Sequence, residues 1–192
     1  MKKLFLILVL AVLGVTAKAQ AVSDMAVIPI GVTLNSIARL TVTSGGNIEF
    51  VVNTMDQYEN GVDKTPATTT TFSVASSCKF YVTLAADNEQ MQGTVNSSHK
   101  MPASIVEYTM DASAFTEATK KPSVPTGEYI ALTNTEKGII GDQSTPNAAG
   151  VFSGVKIAWS LAKSTANKDK LKEYASDRYV VNAFLQLHQE LN

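Results

Sequence analysis

The sequence is poor in the residues that usually mark a reaction centre or a covalent brace. Its 192 residues include one cysteine, one tryptophan and two histidines, and 17% of them are charged. A lone Cys78 excludes an internal disulfide, so the fold has to be held by packing and strand pairing. The thiol reads first as a small core filler and second as half of an intermolecular bridge. Zinc wants several Cys or His ligands, and the chain has too few. His99 lies in a polar stretch and His188 near the chain end, neither beside a nucleophile and an orienting carboxylate. No Gly-x-Ser-x-Gly turn is present to carry a serine nucleophile, and the glycines form no phosphate loop. Cations are not in excess either, with 16 Lys and Arg against 17 Asp and Glu. That balance argues against nucleic acid and against adhesion to anionic lipid.

Long apolar runs are absent with one exception. Lys2 and Lys3 open the chain, Leu4 to Val15 is apolar, and Thr16-Ala17-Lys18-Ala19 closes the segment with small residues. This is the layout of a secretory signal, with Ala17-x-Ala19 suited to a signal peptidase. The run is about twelve residues, short of the roughly twenty that span a bilayer. Residues 1–19 are therefore expected to be removed. The residue after the cut is Gln20 and not a cysteine that could take a lipid anchor. Three lysines leave with the signal, so thirteen cations face seventeen anions, a formal charge of −4. Residues 20–192 are expected to form a single exported domain, placed outside the cell, on its surface or in the periplasm, with no membrane insertion.

What remains is strand-like. Ile28, Ile30, Val32 and Leu34 alternate with Pro29, Gly31 and Thr33, the period of a half-buried strand. After a turn at Ser44-Gly45-Gly46-Asn47, Ile48, Phe50 and Val52 alternate again, and the two runs read as a hairpin. Asp56 to Ala67 reads as a loop turning at Asn60-Gly61. Thr68–Ser76, Lys79–Ala85 and Ser104–Met110 read as strands, with a polar stretch from Asp87 to Lys100. Residues 111–126 look irregular, with a possible helical turn at Ala112–Lys121. Gly127–Thr133 is a weak strand, and Thr135–Gly150 a loop. The clearest strands are the last two, Val155–Leu161 and Tyr179–Leu187. Asn167–Ala175 between them reads as solvated helical turn. About eight strands without a long amphipathic helix predict an all-β antiparallel sandwich, immunoglobulin-like or jelly-roll-like.

Carboxylates offer the main chemistry. Asp56, Glu59 and Asp63 share one loop, and Asp87 and Glu89 another. Glycoside hydrolysis needs two such groups across a cleft, but solvating loop charge accounts for them more simply, and no enzymatic activity is expected. Hard oxygen ligands make calcium the better functional reading of residues 56–63, although the spacing is not that of an EF-hand. Trp159 is in phase with Val155, Ile157 and Leu161 and is expected in the core. Tyr58, in the acidic loop, is the aromatic expected to be exposed.

The chain ends carry the functional expectation. Apolar alternation near both ends demands a partner strand, because an uncovered edge is an aggregation template. The partner is either the chain's own sheet or a neighbour's, by strand addition. Pro29 is compatible with an edge or exchanged strand. With its signal, its Val27–Leu34 run and its closing strand after Asp177-Arg178-Tyr179, the chain resembles exported β-sandwich subunits of bacterial surface filaments, the pilin-like and spore-coat-U-like families. A Gln20 start similarly resembles exported proteins of Bacteroidota. The resemblance implies a self-associating, adhesive or structural surface protein with fimbria-like assembly. Its partners would be copies of itself or a related subunit, and its assembly strand residues 22–34, with Ile28, Ile30, Val32 and Leu34 filling alternate pockets. The paired cysteines of many pilins are missing. The alternative expectation is a monomeric carbohydrate- or calcium-binding sandwich using residues 56–66 and 87–100.

Overall fold

A computed structural model describes residues 28–111, 123–124 and 127–190. The expected signal, residues 22–27 of the expected assembly strand and the helical turn anticipated at 112–121 lie outside the described residues. The chain divides into two units, Met1–Leu34 and Asn35–Asn192. In the first, residues 28–34 form no regular element.

The second unit is an all-β antiparallel sandwich. Its central strands are those whose β-branched and aromatic residues recur at every second position, which suits a pleated surface buried on one side. In β2 (Thr69–Ser76), Phe72 and Val74 are buried, while Thr71 and Ser73, which alternate with them, are half-buried. Its neighbour β9 (Gly150–Leu161) buries Val155, Ile157 and Trp159. Together with β1 (Ala38–Ser44), β6 (Val106–Asp111) and β7 (Ile130–Ala131) they form a sheet in the order β1-β2-β9-β6-β7. A second sheet takes β3 (Phe80–Ala86), β8 (Lys137–Ile140) and β11 (Ala183–Gln189) in the order β11-β3-β8. A third, small one is β10-β4-β5, from β4 (Gln90–Gly93), β5 (Lys100–Pro102) and β10 (Tyr179–Val180).

Side chains from the two larger sheets make one core. Phe72, Val74, Tyr108, Ile157 and Trp159 from the first meet Phe80, Val82, Leu84 and Ile140 from the second. Phe80 and Phe152 meet edge to face at 5.2 Å. Each buried aliphatic side chain contributes about 1.5–3 kcal/mol, and no covalent link adds to that packing. Trp159 is in the core as its phase requires, and its indole N–H donates to Thr70 Oγ1 at 2.8 Å, so its one polar atom is satisfied. Met91, Met101, Ile105, Leu161 and Leu171 form a second cluster. Among the described residues, no helix is long and apolar enough to cross a membrane.

Several local expectations are corrected. Asp56–Ala67 is not all loop, because Met55–Asn60 is a helix, α1. Thr54 and Gln57 cap it reciprocally, each side chain accepting the other's main-chain N–H. It ends at Gly61, where φ is +68° and a Cβ would stand 2.2 Å from the Leu161 carbonyl oxygen. The Ile48–Asn53 run does alternate, with Ile48, Phe50 and Val52 half-buried, but it enters no sheet. The partner of β1 is β2 rather than this run. The Thr135–Gly150 stretch contains β8, and the Asp87–Lys100 stretch contains β4. Tyr179–Leu187 is two strands in two sheets rather than one. Asn167 and Leu171 are buried, not solvated.

Two polar groups in β6 contrast sharply. Glu107 is fully buried, yet its carboxylate is saturated by the loop that follows β9. The N–H groups of Lys163 and Ser164 donate to Oε2 at 2.8 and 2.9 Å, while Asn167 Nδ2 at 2.7 Å and the Ser164 hydroxyl donate to Oε1. Next to it, the Tyr108 hydroxyl is buried without a hydrogen-bond partner, and burial pushes its pKa up to about 12. An unsatisfied buried group costs free energy, whereas removing an acceptor strands its donors. Urea titration is therefore expected to show Glu107→Leu losing about 2–4 kcal/mol and Tyr108→Phe losing nothing or gaining about 1 kcal/mol. A neutral Glu107→Leu or a strongly destabilised Tyr108→Phe would contradict this assignment.

Candidate functional site

Three features were anticipated as sites, and the structure treats them differently. The first is the apolar run 28–34. The side chains of Ile28, Ile30, Val32 and Leu34 are 80, 86, 79 and 91% exposed. Four aliphatic residues in a row of alternating positions, all this open, are a concentration of apolar surface of the kind that interaction sites carry.

The second is the set Asp56, Glu59 and Asp63. Each carboxylate is turned to a partner of its own. Asp56 accepts from Asn60 Nδ2 at 2.7 Å and Glu59 from Lys172 Nζ at 3.0 Å. Asp63 accepts from the Tyr129 hydroxyl at 3.0 Å. Among the described residues, no group of three His, Cys, Asp or Glu side chains stands close enough to hold a metal ion. Tyr58, expected to be exposed, is half-buried against the second cluster.

The third is the 87–100 stretch. Here Asn88, Glu89, Gln90, Gln92, Lys100 and Val180 line an open polar cleft of about 390 Å³. The adjoining turn is organised by a residue that sequence reasoning passed over as a catalytic or binding group, Asp177. Its carboxylate accepts from the N–H groups of Val95, Asn96 and Arg178 at 3.0, 3.0 and 2.7 Å, and pairs with His99 Nδ1 at 3.0 Å. His99, which the sequence places only in a polar stretch, is thus a partner of Asp177. A Cβ at Gly93 would stand 2.3 Å from the same carboxylate, which is why that position is bare.

The sheet edges form a further feature that periodicity alone does not reveal. Among the described residues, β1 and β11 each pair on one side only. Residues facing the core on these strands are incompletely covered: Leu40 on β1 and Leu185 and Leu187 on β11 are half-buried, and Val42 is 44% exposed. Ile48, Phe50 and Val181 pack against the same core and are half-buried too. The main chain of residues 48–52 makes no hydrogen bond with described residues. Core packing is therefore only partly closed along this side. At one end the strands are tied by Gln189, whose Nε2 donates to the Ile37 carbonyl at 2.7 Å. Ser36 donates to Gln189 Oε1 at 3.0 Å. Cys78 is half-buried near Ser36 rather than a core filler, with Sγ 3.9 Å from Ser36 Oγ.

His188 lies on the outer face of β11, stacked on Tyr81 with ring centres 4.6 Å apart, and its Nε2 is 3.0 Å from Thr83 Oγ1. Glu136 approaches that same nitrogen at 3.4 Å. With both partners on one ring nitrogen, the base–orienter geometry of a catalytic triad, which uses the two nitrogens separately, is not formed here.

Comparison with protein-family models and with curated proteins finds no match to this chain.

The Asp177 carboxyl is held down at about 2, chiefly by the hydrogen bond from the Val95 N–H against an opposing effect of burial, with the Asn96, Arg178 and His99 bonds adding to it. A folded pKa below the unfolded value, about 3.9, contributes stability that is complete above the unfolded value. That contribution is lost as pH falls through the folded value. Asp177→Asn is accordingly expected to be less stable than the parent at neutral pH, with the gap closing between pH of about 4 and about 2. Denaturant midpoints across that range test it, and a gap independent of pH would contradict it.

Proposed function

We propose that this chain is an exported structural or adhesive protein of the cell surface or extracellular space that self-associates by β-strand addition, as a pilus-like filament subunit does. The observation that carries the reading is the exposure of all four alternating aliphatic residues from Ile28 to Leu34, on a stretch that belongs to no sheet. Such a stretch has the side-chain pattern of a strand but no sheet, and a neighbour's sheet edge would supply both main-chain pairing and alternate pockets. Repeated head to tail, the contact does not close on itself and gives a filament.

Magnitudes show what such a joint requires. Burying four aliphatic side chains yields roughly 6–12 kcal/mol gross. Association itself costs an estimated 4–15 kcal/mol. Side-chain burial alone is therefore about break-even, and a lasting filament also needs the main-chain ladder and a preformed acceptor. The open apolar side between β1 and β11 is the feature of the second unit that fits such an acceptor.

One observation favours a second reading, a monomeric ligand-binding module: the polar cleft lined by Asn88, Glu89, Gln90, Gln92 and Lys100. Its polar amides and charges suit a carbohydrate more than an apolar ligand.

Light scattering and electron microscopy of the chain starting at Gln20 are expected to show polymers. Removal of residues 20–34, or the double substitution Ile30→Asp and Val32→Asp, is expected to leave monomers with the far-ultraviolet spectrum of the parent. The double substitution alters exposed side chains only, so it separates loss of assembly from loss of folding. A parent that stays monomeric, and melts higher with a glycan or calcium, would favour the module instead.

A further inference from the structure

Sheet edges in soluble proteins are usually blunted by charge, proline, a bulge or shortness. The edges of this sandwich can be compared on those terms. Strand β1 carries Arg39 and a register shift between Val42 and Ser44. Strand β8 begins with Lys137-Gly138 and has its own shift in pairing with β3. Strands β7 and β10 are two residues long, and β5 is three residues ending in Pro102. β11 alone has none of these devices. Its seven residues, Ala-Phe-Leu-Gln-Leu-His-Gln, include no Lys, Arg, Asp, Glu, Gly or Pro. They pair with β3 in unbroken register from Ala183↔Ala86 to Gln189↔Phe80.

The direction of its free main-chain groups can also be read. The N–H of Asp87 donates to the Asn182 carbonyl and the N–H of Glu190 donates to the Lys79 carbonyl, both at 2.9 Å. Even-numbered residues of this strand therefore turn their main chain to β3. By the alternation of a strand, Ala183, Leu185, Leu187 and Gln189 turn theirs to the free edge. Leu185 and Leu187 are also the residues whose side chains face the core, packed against it and only half-buried.

From this we infer that the free edge of β11 is the acceptor, and that it takes residues 28–34 of a second copy in the antiparallel sense. The inference rests on the strand-addition reading above and adds the surface, the partner segment and its direction. Direction follows from Pro29, which lacks an N–H and is tolerated only where that side faces away from the ladder. In an antiparallel pair, residues directly opposite share both the face of their side chains and the sense of their main-chain groups. An antiparallel arrival therefore lets Ile28, Ile30, Val32 and Leu34 face the core beside Leu185 and Leu187 while their own N–H and C=O groups bond β11. Pro29, Gly31 and Thr33 then turn to solvent. A parallel arrival with the same residues inward would aim the missing N–H of Pro29 at β11. The lengths agree as well, seven residues on each side, roughly 20 Å of strand. Pairing of β11 with β11 of another copy would leave the aliphatic row of 28–34 uncovered, so it satisfies only half of the exposed surface.

Cysteine cross-linking tests both edge and direction. In a Cys78→Ser background, one chain carries Gly31→Cys or Thr33→Cys, and a second carries Phe184→Cys, Gln186→Cys or His188→Cys. Control chains carry Thr41→Cys or Thr43→Cys on β1. Mixed, assembled and mildly oxidised, donor chains are expected to link to β11 positions and not to β1. Moving the donor from 31 to 33 is expected to move the favoured partner two residues towards the β11 start, the signature of antiparallel pairing. Linkage at β1 with polymers intact would overturn the β11 assignment and leave self-association standing. Shift of the partner in the opposite sense would overturn the antiparallel direction. Bridges within a single chain that carries both cysteines, or between two β11 cysteines, would overturn the second-copy donor. Absence of both polymers and links would remove the strand-addition reading itself.

Discussion

Two sheets with no covalent link between them hold together only if each strand keeps its apolar residues on the side facing the other sheet. That single constraint organises the second unit. It puts Phe72 and Val74 of β2, Ile157 and Trp159 of β9, and Phe80 and Val82 of β3 into one core, and it leaves Ser73, Ala158 and Tyr81 between them only half-buried. A one-residue slip in any of these strands would expose its whole apolar set. The polar exceptions obey the same economy: Glu107 is tolerated in the interior because the 163–167 loop brings four donors to it.

Among the described residues, the constraint is least fully satisfied along one side. Between β1 and β11 the inward residues are half-buried, and the run 48–52 fills space there with Ile48, Phe50 and Val52 without adding main-chain bonds. In residues 28–34, the described part of the first unit, the converse holds, with apolar residues that alternate correctly for a strand but enter no sheet. On the proposed reading, one feature is an unpaired run with the pattern of a strand and the other an edge able to take it. Their complementarity in period, length and polarity is the physical content of the proposed assembly.

The long strands were legible in the sequence because a two-faced environment writes a two-residue period. Strands β2, β3 and β9 all lie in runs where aliphatic or aromatic residues alternate with polar ones. The same signal misled at Ile48–Asn53, since alternation reports which side is buried and not whether the main chain is paired. It also ran through Asn182 without a break and so joined β10 to β11. Helix α1 was hidden behind the Asn60-Gly61 turn signal, although the Thr54-x-x-Gln57 capping pair was there to be read. Strand β8 is four residues with a glycine in it, too short for a period to show. The candidate site was half legible: Ile28, Ile30, Val32 and Leu34 stand out by spacing, whereas the open edge depends on which strands are neighbours, a matter of long-range pairing. Glu107 and Asp177 were invisible for the same reason, since their partners lie 56 to 60 and 78 to 82 residues away for the most part.

Amide hydrogen exchange on β11 tests the central claim most directly, because the strand's two sets of N–H groups serve as their own control. The account predicts that Gln186 and His188, which bond β3, are protected before and after assembly. Leu185 and Leu187 should be open in the monomer and become protected in the polymer. Protection of Leu185 and Leu187 already in the monomer, or their continued exchange within polymers, would contradict it.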